Sequence, residues 1–195
     1  MLNTKFDGPE ATKYLNGDLS GENYRKLLEY LLSICPYFSL INDAPAYEQE
    51  EVKKILDRFS DHFYLKLKNI SEWPGTKVDG VYSLGEEGEE ESDEIEEVEQ
   101  HTALIAYKFN KETLDLLYAL SDNIWKIEPL NDLIFYKENG EPFLITVTHE
   151  WMCWITGDEE EQKSLKKALP FIEFSDEFLW EDVNEKYGYE PDYQE

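Results

Sequence analysis

Three histidines, His62, His101 and His149, are the only side chains in the sequence whose ordinary pKa lies near neutrality. His149 is followed by Glu150, and Cys153 stands four residues after the histidine. A two-histidine zinc helix requires a second histidine at that fourth position, and here the position holds a cysteine. The local pattern is also strand-like, which would set His149 and Cys153 on one face of a sheet. A mononuclear metal site needs three or four converging ligands. His149, Cys153 and one further histidine supply them only if the fold brings them together. The plainer expectation is that His149 and Glu150 form a structural, buried hydrogen-bonded pair. A hydrolase or metal-dependent activity around His149, Glu150 and Cys153 is the enzyme alternative.

Other chemistries leave less of a trace. The chain has no Gly-x-Ser-x-Gly turn and no cysteine in a glycine-rich loop. Dinucleotide and phosphate-loop patterns are missing, as is the spaced Asp/Gly signature of a calcium-binding loop. Carboxylates are so numerous that a glycosidase-like pair does not stand out. No catalytic residue, metal or cofactor is therefore assigned.

Charge is the more informative signal. Eighteen basic residues stand against 44 acidic ones, a formal charge of −26 over 195 residues. Between Lys77 and Lys108 lie eleven acids and no Lys or Arg, and from Glu173 onward nine acids and one base. The rest of the chain is only mildly acidic. Direct nucleic-acid binding is disfavoured, because phosphate neutralisation needs clustered Lys and Arg, and anionic membrane is disfavoured likewise. A dense anionic surface instead speeds encounter with a basic protein. Glu86, Glu87, Glu89, Glu90, Glu91, Asp93, Glu94, Glu96, Glu97 and Glu99 form the expected steering surface. The bland account of the same run is a solvated loop. No apolar run approaches the ~20 residues of a membrane span. With no signal-like start and two cysteines, Cys35 and Cys153, read as reduced thiols, the expectation is a cytoplasmic protein.

Elements must position these residues. Ser20 is expected to cap a helix to about Ile34, and a second helix is expected from Tyr47 to about Phe59. Residues 62–69 alternate as a strand, Trp73-Pro74-Gly75-Thr76 turns, and residues 78–84 return as another strand. A strand over 102–109 leads to a helix capped by Asn110. Leu133–Lys137 and Pro142–Thr148 flank Asn139-Gly140, the favoured two-residue hairpin turn. A strand over 150–156 and a helix from Gly157-Asp158 to about Leu169 follow. The whole predicts an α+β fold: an antiparallel sheet of five to seven strands with helices mainly on one face. Residues 1–170 form one domain with an acidic loop at 85–100, and 171–195 an acidic aromatic arm that packs on the body. Trp73, Trp125 and Trp151 are expected in the core or on a sheet face.

Two stretches carry a family likeness. Ser71-Glu72-Trp73-Pro74-Gly75-Thr76 is one, and the other runs from Trp125 through Pro129-Leu130-Asn131-Asp132-Leu133-Ile134-Phe135-Tyr136 and Asn139-Gly140 to Thr148-His149-Glu150. Together they resemble a loose group of bacterial proteins that includes immunity proteins of polymorphic toxin systems. Asn131 departs from the acid usual before the aspartate, and the insert at 86–99 lies outside the pattern. The resemblance implies a cytoplasmic binding protein and transfers no catalytic residue. The resulting expectation is an acidic protein-binding module, an immunity-type inhibitor of a basic toxin or effector. A third possibility is an adaptor whose acidic aromatic tail recruits a partner.

Overall fold

The computed structural model describes residues 1–5, 13–77 and 102–176. Ten strands and four helices occur among them. In chain order they are β1 (Lys13–Asn16), α1 (Gly21–Leu32), β2 (Tyr37–Asn42), α2 (Gln49–Asp57), β3 (Phe63–Lys68), β4 (Glu72–Trp73) and β5 (Thr76–Lys77). Then come β6 (Ala103–Lys108), α3 (Lys111–Leu120), β7 (Asn131–Tyr136), β8 (Pro142–Val147), β9 (Met152–Ile155), α4 (Glu159–Ala168) and β10 (Glu173–Ser175). The fold is α+β, and its main sheet has the order β10-β1-β9-β8-β7-β2-β6-β3. Every neighbouring pair in it is antiparallel. The sheet thus has eight strands where five to seven were expected, and β4 and β5 form a separate hairpin.

The additional strands are β1, β2 and β10. β2 lies between β7 and β6 in the sheet and is buried over its last five residues. A strand covered on both faces shows no polar–apolar alternation, so the segment after Pro36 carries no period-two signal. β1 and β10 are four and three residues long, too short for a period to register. β10 pairs with β1 and so places the first residues after Pro170 within the sheet.

Period-two packing divides the interior into two cores. Phe38, Leu40, Ile105, Tyr107, Leu133 and Phe135 belong to one, together with the buried residues of all four helices. These include Tyr24, Leu27, Leu28 and Leu31 from α1, and Leu114 and Leu117 from α3. The alternate positions, Ile41, Leu104, Ala106, Ile134, Tyr136, Ile145, Val147 and Trp154, form the other core with Trp73 and Leu2. An antiparallel sheet often leaves one face to water. This one does not: each fully buried Leu, Ile or Val is worth ~1.5–3 kcal/mol, so the second face contributes substantially to stability.

Local signals explain most boundaries. Asn110 and Asp158 each close a reciprocal capping box, on α3 and α4. Ser20 holds the N-cap position of α1 but makes no side-chain cap bond; its hydroxyl donates instead to Asp18 Oδ1 at 2.6 Å. The β7–β8 turn also differs from expectation. Only Gly140, φ 89°, takes a positive φ there. Gly140 N–H donates to Lys137 O at 2.9 Å, and Lys137 N–H to Glu141 O at 2.9 Å. The connection is thus an ordinary turn followed by a glycine bulge rather than a turn with two positive-φ residues. Among the described residues no helix is long and apolar enough to cross a membrane. The expected strand at 78–84 and the loop at 85–100 lie outside the described residues, as does the arm beyond residue 176.

Candidate functional site

β2 and β7 pair with a slip: Leu40 faces Leu133, whereas Ile41 faces Asn131. Asp132 is the extra residue of this bulge and sits at φ 38°. A bulge leaves its residue out of the ladder and re-aims its side chain. The Asp132 backbone N–H instead donates to Thr148 Oγ1 at 3.3 Å. The carboxylate is fully buried, at 0% exposure, and is surrounded by donors. Trp73 Nε1–H donates to Oδ2 at 2.6 Å, with the Thr76 hydroxyl at 3.4 Å from the same oxygen. Thr148 N–H donates to Oδ1 at 2.8 Å, and its hydroxyl lies 3.3 Å away.

That arrangement joins three elements through one side chain. The β4–β5 hairpin reaches Asp132 through Trp73 and Thr76, and the end of β8 reaches it through Thr148. Gly75, φ +95°, lets the hairpin lie close on the sheet: a Cβ there would stand 2.9 Å from Ile145 Cγ2 and 3.1 Å from Trp154 Cζ2. Burial raises the Asp132 pKa above its usual range, against the opposing pull of Trp73, the Thr148 backbone and His149. Ser71–Thr76 and Trp125–Glu150, which carry the family likeness, therefore meet in space at Asp132.

His149 and Glu150 do not form the buried pair that their sequence suggests. They occupy a single 3₁₀ turn, Thr148–Glu150, that ends β8, and Trp151 then takes a left-handed φ of 55°. The turn directs both side chains to solvent, 56% and 47% exposed, with His149 Nε2 and Glu150 Oε1 3.8 Å apart. That spacing is too long for a hydrogen bond. Cys153, on β9, is buried in the core that also holds the buried apolar residues of the helices, and burial pushes its thiol pKa up. It therefore lies out of reach of anything bound at His149. Among the described residues no group of three or more His, Cys, Asp or Glu is placed to hold a metal ion. Both cysteines are buried and unpaired.

Among the described residues His62 adds no reactive cluster. His62 is satisfied at both ring nitrogens: Nδ1 lies 3.1 Å from Asn110 Nδ2, and Nε2 lies 3.3 Å from Glu112 Oε2. It clips the start of β3 to the head of α3. His101 lies outside the described residues, as do Glu86 through Glu99. Trp73 and Trp125 are buried, and Trp151 is partly buried with its ring 6.3 Å from that of Trp125.

A second acidic feature was not visible in the sequence. Asp43, Glu48, Glu51 and Glu128 line an open cleft of about 490 Å³, with Asn131 at its wall. None of the described residues lining it is Lys or Arg. Asn131 Nδ2 donates to Asp43 Oδ1 at 2.6 Å, while its Oδ1 faces the Thr148 hydroxyl at 3.1 Å. The cleft wall is thereby tied to the Asp132 network. Three of its acids fall within Asp43–Glu51 and the fourth, Glu128, lies 77 positions after Glu51, so the linear chain does not show that they meet. Fold and site together define an α+β protein on one large antiparallel sheet, with an anionic cleft above a buried carboxylate hub. No family model matches the chain, and neither a curated protein nor a solved structure matches it.

Proposed function

We propose that this chain is an acidic protein-binding module, an immunity-type inhibitor that neutralises a basic toxin or effector. The observation that carries the reading is that anionic charge occurs in two forms on one molecule. One is the run of acids at Glu86–Glu99, and the other is the four-carboxylate cleft on the folded body. A flexible or fixed acidic run steers a cationic partner, and a rigid acidic cleft gives it a place to seat a Lys or Arg side chain. The Asp132 hub supports the reading by fixing Asn131 at the cleft wall. Helices on one face of the sheet leave the loops at the strand ends open to such a partner, and shared core membership of the four helices supports that arrangement. Two buried free thiols suit a reducing cytoplasm.

The test is a pull-down from source-cell lysate with the immobilised protein. A basic partner retained at ~0.05 M salt and released at ~0.5 M salt is the expected result, because screening shortens the reach of surface charge. Replacing Asp43, Glu48 and Glu51 by Asn, Gln and Gln should weaken capture at least tenfold. Recovery of no cationic protein, or capture indifferent to salt and to these substitutions, rejects the proposal.

A further inference from the structure

The described residues expose five large apolar side chains: Met1, Tyr47, Phe63, Tyr64 and Leu67. Three of these belong to β3, the terminal strand of the sheet, whose outer edge pairs with no strand among the described residues. Tyr47 belongs to the turn 46–48, and its neighbours Ala46 and Gln49 wall an open concavity of about 480 Å³. Lys66 and Lys68 line it as well. From His62 to Ser71 the chain has two lysines and no acid, a local reversal of its overall charge.

The register gives this edge a readable pattern. Lys66 and Lys68 face Ile105 and Ala103, on the side of the helix-bearing core. Leu65 and Leu67 face Ala106 and Leu104, on the side of the second core. A strand laid along β3 therefore meets ammonium groups on one side and leucines on the other. We propose that the β3 edge is a docking site for an extended peptide that alternates acidic with apolar residues, added to the sheet as a ninth strand. Main-chain hydrogen bonds supply affinity in such an addition, and alternate side chains supply selection. Lysines on an edge strand also deter pairing between copies of a protein. Here they come with Phe63, Tyr64 and Leu67 exposed beside them, which a purely protective edge does not need. Its occupant has the opposite charge to the basic partner proposed for the acidic cleft.

The experiment uses a fluorescein-labelled decapeptide alternating Glu with Val, and a matched peptide alternating Lys with Val. Both are titrated into the full chain at ~0.15 M salt, where a Debye length of about 8 Å screens distant acids. Because the acidic surfaces attract the lysine peptide elsewhere, the site is read by hydrogen exchange at the β3 amides. The expected result is that the Glu–Val peptide binds and protects residues 63–68, whereas the Lys–Val peptide leaves them unprotected. K66E/K68E, with its fold checked by near-ultraviolet circular dichroism, should lose that protection and at least tenfold in affinity, and the milder K66Q/K68Q should lose part of it. Protection that is absent, that arises elsewhere, or that survives K66E/K68E overturns the proposal. Dimerisation through β3, seen by sedimentation without peptide, overturns it also, since a second copy would then be the occupant.

Discussion

Burial away from water favours the neutral form of a carboxyl group, and at Asp132 this outweighs the donors that favour the charged form. The folded-state pKa is thus raised above the unfolded value of 3.8. The native state binds this proton more tightly, so the contribution of Asp132 to stability is fully present below 3.8 and is lost as pH rises through the folded pKa. Urea denaturation of the wild type and D132N across that window should show a shallower pH dependence in the variant. Equal slopes would mean that Asp132 is not the group responsible. Trp73→Phe removes the Nε1–H donor that lies 2.6 Å from Oδ2. Loss of a hydrogen bond to a charged group costs ~1.5–3 kcal/mol, and the Asp132 pKa should rise further, steepening the pH dependence. In the sequence Asp132 is one of 44 acids, and its partner Trp73 is 59 positions away. The family likeness includes both residues without linking them. What joins them is a bulge, which arises from strand register and not from residue type. His149 and Glu150 show the reverse: a recognisable pair in sequence that a single 3₁₀ turn leaves in solvent.

Hairpin β4–β5 spans only six residues, yet it covers the second core and supplies two donors to Asp132. Its position depends on Gly75, where both the positive φ and the approach to Ile145, Val147 and Trp154 exclude a side chain. Gly75→Ala should destabilise the fold by ~1–3 kcal/mol through strain and overpacking. Its denaturant midpoint measures this, and a midpoint within error of wild type would show that the hairpin is not seated as described. At this scale the sequence is most legible where one face of an element meets water. The helical spacing of Tyr24, Leu27, Leu28 and Leu31 marks α1, and Asn110 and Asp158 mark the starts of α3 and α4. Trp73-Pro74-Gly75-Thr76 marks the turn between β4 and β5. β2 escapes because burial on both faces removes the alternation that would announce it.

Charge acts on the molecule as a whole. At −26 the folded chain repels itself, and compaction brings like charges together. Raising salt from ~0.01 to ~0.3 M should therefore raise the thermal midpoint while weakening capture of a basic partner, since both effects follow from one screening length. A midpoint that falls with salt would show that attractive pairs such as Lys137–Glu161 outweigh repulsion. The composition makes this net charge plain, but not its arrangement: a cleft of four acids and a lysine edge both require the fold. The place of β2 between β6 and β7 bears on how the chain is made. Tyr37 pairs with Lys108 on one side and Tyr136 on the other, so β2 is synthesised well before either neighbour exists. At ~5–20 residues per second, the wait for the second partner lasts several seconds. During that interval an apolar strand with both edges unpaired is exposed to other nascent chains. Chaperone dependence and aggregation on the ribosome should therefore be governed by Tyr37–Asn42 more than by any segment of the finished surface.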